Sequence, residues 1–168
     1  MKIYILGGIK MNKYENAMKL MEKIYGNGDK DTLLVLGTIK QEHSDTGNPR
    51  PSVRMVNGIY YDGAFYVSTA LSKTKTKEIE KNAEVSLVSL GDAFAAIIAN
   101  GKASNLGWVS DEKNHSIREK MRKVFGWWYD ENDENSQDSI VLRIDLTEAT
   151  IGGTEEKYEV DFVKKEAK

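Results

Sequence analysis

The chain has 168 residues, of which 40% are apolar and 30% are charged, and its formal net charge is −2 at pH 7. This length suits one domain with a sizeable apolar core, so we expect a single domain over residues 1–168. A slightly negative net charge argues against a general nucleic-acid-binding protein, whose surface is usually basic. The absence of cysteine excludes disulfides and thiolate metal sites, and it agrees with the cytoplasmic location that we expect.

The two ends of the chain are predicted to differ from the body of the domain. Residues 1–10 are expected to be an N-terminal extension, because Met11 begins a more regular sequence and the apolar run before it is too short for a signal peptide. Residues 154–168 form a charged tail that holds the apolar positions of one last strand. No segment approaches the roughly 20 apolar residues of a membrane span, so we expect no membrane contact.

The first half of the chain predicts a helix, a strand and a hairpin. Apolar residues at helical spacing predict a helix over residues 12–26. The apolar run at 31–39 predicts a buried strand, and polar residues at 40–48 predict a loop. Residues 52–69 predict a β-hairpin, because an Asp-Gly pair in their middle suits a two-residue turn that needs positive φ.

The second half predicts more strands and two helices. The strands are expected at 83–90, at 94–102 with a continuation to 106, and at 139–146 with a further piece at 149–153. The helices are expected at 75–82 and 111–126, and an acidic loop led by aromatic residues is expected at 127–138. Hairpins dominate and no strand–helix–strand alternation appears. The sequence therefore favours a mainly β (α+β) fold, an antiparallel sheet closed into a small barrel with peripheral helices.

Cations and hydroxyl groups meet where the predicted hairpin leads into the next helix. Lys73, Lys75 and Lys77 alternate with threonines at this junction. A helix N-terminus carries unsatisfied N–H groups and a partial positive charge, which is the chemistry that a phosphate needs. Arg54, on the neighbouring strand, supplies a second kind of cation. We therefore predict that a phosphorylated cofactor binds here.

Several short motifs follow one another along the chain. They are Gly47-Asn-Pro49, Arg54-Met55-Val56, Asp62-Gly63, Tyr66-Val-Ser-Thr69, Lys75, Lys81-Asn82-Ala83-Glu84-Val85-Ser86-Leu87, Asn100-Gly101-Lys-Ala103 and Val141-Leu142-Arg143-Ile144. In this order and spacing the chain resembles, from about Leu33 to Ile151, the pyridoxamine 5′-phosphate oxidase superfamily of split β-barrels, and within it the general-stress-protein-like members. The resemblance implies an antiparallel split β-barrel and a homodimer that binds flavin mononucleotide (FMN) in a groove between its subunits.

The resemblance also implies a set of cofactor-binding residues. They are Arg54, Met55, Val56, Asn57, Ser68, Thr69, Lys73 and Lys75. Arg54, Thr69 and Lys75 match the family residues that grip the phosphate, and an arginine fork beside a lysine point charge suits a phosphate with nearly two negative charges. The three residues after Arg54 fall where family members approach the flavin ring.

Two departures from the family pattern limit the resemblance. The seven residues from Gly47 to Arg54 exceed the usual spacing, so Arg50 competes with Arg54 as the phosphate residue. The C-terminal Trp-x-x-His-type motif of true pyridoxamine phosphate oxidases is missing, so the resemblance does not extend to oxidation of vitamin B6 itself.

The predicted activity is an FMN-dependent redox reaction on a small molecule, because a flavin performs the electron chemistry and the protein positions it. No catalytic triad, carboxylate pair or metal-ligand cluster stands out, and His43 and His115 are the only histidines, so we assign no catalytic residue and no metal site. Three alternatives stay open: a deazaflavin-dependent reductase of the same fold, a flavin-storing stress protein without turnover, and a split barrel that has lost its cofactor.

Overall fold

The computed structural model describes residues 11–43, 47–90, 96–126, 134–152 and 156–168. The predicted N-terminal extension, the first residues of the strand expected at 94–102 and the first part of the loop expected at 127–138 lie outside the described residues. The helices are α1 (Lys13–Tyr25), α2 (Thr74–Lys81) and α3 (His115–Phe125), and a 3₁₀ turn (Glu112–Asn114) precedes α3. The strands are β1 (Thr32–His43), β2 (Pro49–Tyr61), β3 (Ala64–Ala70), β4 (Glu84–Leu90), β5 (Ala96–Trp108), β6 (Ser139–Gly152), β7 (Lys157–Asp161) and β8 (Glu166–Ala167).

Six strands close into an antiparallel barrel. Strands β3, β2, β1, β4, β5 and β6 are neighbours in that order, and β3 also pairs with β6, which closes the ring. Strand β6 continues past the barrel and pairs with β7, to which β8 is added. The predicted fold class is therefore confirmed: the protein is mainly β, an antiparallel split barrel with peripheral helices.

The turn between β2 and β3 has the local geometry that the sequence predicts. Asp62 has a φ of 47° and Gly63 a φ of 80°, and a two-residue turn of type I′ requires positive φ at both positions. Helix α1 also starts on a local signal, because the Asn12 side chain accepts the Glu15 N–H and the Glu15 side chain accepts the Asn12 N–H in return. These two boundaries follow from neighbouring residues alone.

The core fills the barrel and is covered at one end by α1. Side chains alternate along the strands, as in β4, where Val85 and Leu87 are buried and the residues beside them are exposed. Tyr25 of α1 meets Phe65 of β3 edge-on, with ring centroids 5.4 Å apart. A second cluster lies between α3 and the outer side of β3, where Met121 packs with residues that include Tyr66.

Two predicted boundaries are wrong because strand pairing continues further than the local sequence indicates. The loop expected at 40–48 is strand as far as His43, since Lys40 pairs with Arg50 and His43 with Pro49 across the β1–β2 ladder. Strand β6 runs unbroken from Ser139 to Gly152, because β5 pairs with it along its length. Within the described ranges, no helix is long and apolar enough to span a membrane.

Candidate anion-binding site

The barrel opens between β2 and β3, although these strands form a hairpin. They pair only beside the turn, from Ile59 opposite Tyr66 to Tyr61 opposite Ala64. Beyond this point β2 pairs with β1 only, and β3 pairs with β6. Gly58 lies where they separate, and a Cβ atom there would be 2.5 Å from the Tyr66 carbonyl oxygen. Helix α2 follows β3 and contacts β1 beside this split.

The turn that leads from β3 into α2 is fixed by the residue just before β6. The Asp138 carboxylate accepts hydrogen bonds from the Ser72 backbone N–H at 2.8 Å and from the Ser72 hydroxyl at 2.5 Å. The Asp138 carbonyl also accepts the Leu71 N–H at 2.7 Å. The bonds from Ser72 hold the pKa of the Asp138 carboxyl below its usual range. Lys73 then takes the N-cap position of α2 without a capping side chain.

Arg54 lies on β2 and joins three elements through its guanidinium group. Its Nη2 donates to Ser52 Oγ and to Glu78 Oε2, each at 2.6 Å, and its Nη1 donates to Thr38 Oγ1. Glu78 lies on α2 and Thr38 on β1, and both are buried. Three of the five guanidinium donors are thus used within the described residues, which leaves two for a ligand.

Lys75 lies in the first turn of α2 and is half-buried. Burial lowers the pKa of its ammonium group, and the positive charges of Arg54 and Lys73 lower it further. In the part of the chain that the structure describes, the Lys75 ammonium has no hydrogen bond and no ion pair. Cations from two separate elements therefore act on each other here, and a half-buried ammonium without a counter-ion favours an incoming anion.

Strand alternation divides the residues predicted to bind the cofactor between two sides of the sheet. Arg54 and Val56 pair with buried Leu36 and Leu34, and Val56 belongs to the barrel core. Met55 and Asn57 therefore point to the other side, where 70% of Met55 is exposed. Only backbone atoms of Val56 remain for a ligand, because its side chain is buried.

Asn57 and the two predicted hydroxyl residues have different surroundings. The Asn57 amide donates to the two Asp31 carboxylate oxygens at 3.1 and 3.0 Å. Thr69 shares the side of β3 that carries the core residue Val67, whereas Ser68 lies on the opposite side of the strand. Both are half-buried, and neither hydroxyl has a hydrogen-bond partner among the residues that the structure describes.

The remaining basic candidates lie apart from this group. Arg50 is exposed on β2 opposite Lys40, and it is not among the charges that act on the Lys75 pKa. Lys77 is exposed on α2. The geometry thus favours Arg54 over Arg50 as the partner of Lys75, although the phosphate assignment itself stays a prediction.

Sequence reasoning missed the residues that hold these cations. Glu78 follows three lysines in a charged helix, a pattern typical of a solvated surface, yet it is buried. Thr38 and Asp138 lie 16 and 66 residues away in the sequence from their partners Arg54 and Ser72. The local sequence carries only one hint for Glu78, its position three residues after Lys75 and directly before the buried Ile79.

No metal centre accompanies the cations in the described ranges, where no group of three potential metal-ligating side chains occurs. His115 is exposed at the start of α3, and its Nδ1 lies 3.0 Å from Arg118 Nη2. The site is therefore defined by cations and hydroxyl donors, a donor set that fits a phosphate.

An exposed apolar row crosses the outer side of the barrel next to β2. It consists of Met55, Val35, Val88 and Ile98, which are direct neighbours across β2, β1, β4 and β5. Their exposed fractions are 70%, 38%, 39% and 61%. A contiguous exposed apolar patch commonly marks an interaction surface. Met55, at one end of this apolar row, follows Arg54 in the sequence, and its side chain lies on the opposite side of β2.

No family model matches the sequence, and no curated protein matches it. Solved structures match most of the chain at low identity. A Clostridium acetobutylicum protein related to general stress protein 26, of the pyridoxinephosphate oxidase family, is 15% identical with a TM-score of 0.53, covering 91% of this chain and 96% of that one. An FAD-binding protein of Mesorhizobium loti is 17% identical with a TM-score of 0.54, and the match covers 81% of this chain and 92% of that one. The Vibrio cholerae heme storage protein HutZ is 16% identical with a TM-score of 0.61, and the match covers 84% of this chain and 96% of that one.

Proposed function

We propose that this chain, which has the split-barrel fold of the pyridoxamine 5′-phosphate oxidase-like proteins, binds FMN and uses it in a redox reaction on a small molecule. The observation that carries the proposal is the half-buried Lys75 ammonium, which has no counter-ion among the described residues and feels the charges of Arg54 and Lys73. A flavin phosphate supplies the missing negative charge.

The residues at the split provide distinct functions for such a ligand. Lys75 and the two Arg54 donors that bind no described residue would hold the phosphate, and the Thr69 hydroxyl, which also has no hydrogen-bond partner among those residues, would donate a further hydrogen bond. The backbone of β2 after Arg54 would border the ring. Bound FMN supplies hydride or electron transfer, and the chain orients it and limits water around it. We assign no catalytic side chain.

We further propose that the protein is a homodimer with the cofactor near the subunit interface. The apolar row is the surface that would be buried, because it is exposed in the single chain, and its end residue Met55 lies on β2, the strand that also carries Arg54. Burial of this row against a second copy would remove exposed methionine and branched apolar side chains from water.

The first test compares three variants with the wild-type protein. We expect purified protein to bind FMN, seen as a flavin absorption band and as FMN released on denaturation. Lys75→Ala and Arg54→Ala should each weaken FMN binding roughly 10- to 100-fold, because each removes a charge-assisted contact of about 1.5–3 kcal/mol. Lys77→Ala is the matched control, since Lys77 is exposed on the same helix and should leave the affinity unchanged.

The outcomes separate the alternatives. Colourless protein that does not take up FMN contradicts the proposal. A Soret absorption band that appears when heme is added would instead indicate heme binding, as the name of the Vibrio cholerae heme storage protein describes for that protein. FMN binding with no NAD(P)H oxidation in the presence of any tested acceptor supports flavin storage. Binding of a deazaflavin in preference to FMN supports the deazaflavin alternative.

A further inference from the structure

We propose that Glu78 is the positioning residue of the anion site: it ties α2 to Arg54, so that cations from β2 and α2 face the same anion. The inference rests on the proposed function and names a residue that the cofactor itself need not touch. Glu78 is a buried carboxylate in a helix whose charged sequence is typical of a solvated surface.

The Glu78 carboxylate is bound through one oxygen only. Its Oε2 accepts Arg54 Nη2 at 2.6 Å and the Thr38 hydroxyl at 2.5 Å. Its Oε1 is buried and meets no donor among the described residues. A buried carboxylate is costly unless it is paired, and removing one member of a buried pair leaves the other uncompensated. The Arg54–Glu78 pair is therefore a fixed contact rather than a solvent-exposed one.

This contact is needed because the two sides of the site belong to different parts of the sheet. Arg54 is on β2, whereas Lys73 and Lys75 follow β3, and the two strands separate after Ile59. Among the side-chain hydrogen bonds of the described residues, those of Glu78 are the ones that join α2 to β1 and β2. Without them, no side-chain hydrogen bond among the described residues would tie α2, which carries Lys75, to Arg54, and the two positive charges would repel each other.

Glu78 also determines which Arg54 donors a ligand can use. It occupies one Nη2 hydrogen, while Ser52 takes the other and Thr38 takes one from Nη1. The guanidinium plane is thereby fixed, and the two remaining N–H groups, which bind no described residue, keep one orientation while the pair is intact. An anion that binds them needs no rearrangement of the side chain, which reduces the entropy lost on binding.

The test compares the affinities for FMN and riboflavin, measured by flavin fluorescence, because the two ligands differ only in the phosphate. In Glu78→Ala we expect the preference for FMN over riboflavin to fall at least about tenfold, with riboflavin affinity little changed. Glu78→Gln keeps an oxygen for Arg54, and its amide nitrogen replaces Oε1, which makes no hydrogen bond with the described residues, so we expect the preference to be retained. Glu80→Ala, exposed on the same helix, should leave it unchanged.

Thr38→Val provides a second variant should Glu78→Ala not fold. It removes the hydroxyl that bonds both Arg54 and Glu78 and keeps the shape of the side chain, so we expect a smaller loss of the same preference, about three- to fivefold. Wild-type protein that binds neither flavin overturns the proposed function and this inference together. A wild-type preference for FMN that survives in Glu78→Ala and Thr38→Val, or is lost equally in Glu78→Gln, overturns the inference alone.

Discussion

At the scale of single residues, the site depends on how three charged side chains share one partly buried region. Arg54 is paired with Glu78, whereas Lys75 has no counter-ion in the described part of the structure. This difference matters for anion binding because Arg54, whose charge is balanced by Glu78, contributes donors in a fixed orientation, whereas Lys75 contributes net positive charge. It also makes Lys75 the group whose protonation should respond to a bound anion.

The lowered Lys75 pKa predicts a specific pH dependence of FMN binding. A bound phosphate favours the ammonium form, so the Lys75 pKa is higher in the complex than in the free protein. Above the second pKa of the phosphate, which is about 6, affinity for FMN should be constant up to the free-protein pKa of Lys75 and should then fall as pH rises toward the value in the complex. Titrating FMN between neutral and alkaline pH, with riboflavin as the reference ligand for the ring, measures this decline.

Lys75→Arg is the matched variant for that titration. An arginine keeps the positive charge and does not lose its proton in this range, so the decline attributed to Lys75 should disappear. A pH profile identical to that of the wild type would assign the titration to another group.

At the scale of elements, the turn between β3 and α2 is positioned by a side chain distant in sequence. Asp138 accepts the Ser72 N–H and hydroxyl, and Lys73 and Lys75 follow directly. The lowered pKa of Asp138 means that its contribution to stability is present above the unfolded-state pKa and is lost as pH falls through the folded-state value. The turn should therefore loosen as the Asp138 carboxylate takes up a proton in acid.

Asp138→Ala is predicted to free this turn without unfolding the barrel. The Ser72 amide should exchange its hydrogen faster, measured by NMR, and FMN affinity should fall several-fold because the helix start is less well placed. Asp161→Ala is the control, since Asp161 caps the turn after β7 in the same way by accepting the Val163 and Lys164 N–H groups. Equal effects of the two substitutions on FMN affinity would contradict a specific role for Asp138.

At the scale of the whole molecule, the barrel leaves one apolar row exposed on four neighbouring strands. Val35 lies at its centre, paired with Met55 on one side and Val88 on the other. The inner sides of the same strands are buried in the core, so these strands have apolar residues on both faces. Strands that are apolar on both faces are typical of sheets covered on both sides.

Val35→Asp is predicted to disrupt the proposed homodimer. A carboxylate at the centre of the apolar row would be buried without a partner, so the variant should elute with the mass of one chain in size-exclusion chromatography with light scattering, whereas wild type should have twice that mass. Val163→Asp is the control, because Val163 is 76% exposed outside this row. A wild-type protein that is monomeric at all concentrations would remove the dimer from the proposal.

The sequence by itself determined the features that depend on neighbouring residues. The Asp62-Gly63 turn, the start of α1 at Asn12 and the alternation of β4 were all predictable, because backbone preference, capping and side-chain period act within a few positions. The cationic stretch at the start of α2 was also recognisable, and it led to the prediction of a phosphate site. The strands and the hairpin, taken in order, favoured a small antiparallel barrel, and the resemblance to the split-barrel superfamily specified the split.

Only the tertiary structure decided which charges meet. Glu78 lies 24 residues from Arg54 and Thr38 lies 16 residues from it, and their contact depends on the register of β1 with β2 and on where α2 packs after the hairpin splits. No short-range preference encodes these distances. Strand alternation alone predicts that Met55 and Asn57 lie on the side of β2 opposite Arg54. It does not predict which side of the strand faces α2, because the closed barrel, and not a single strand, determines which side is buried.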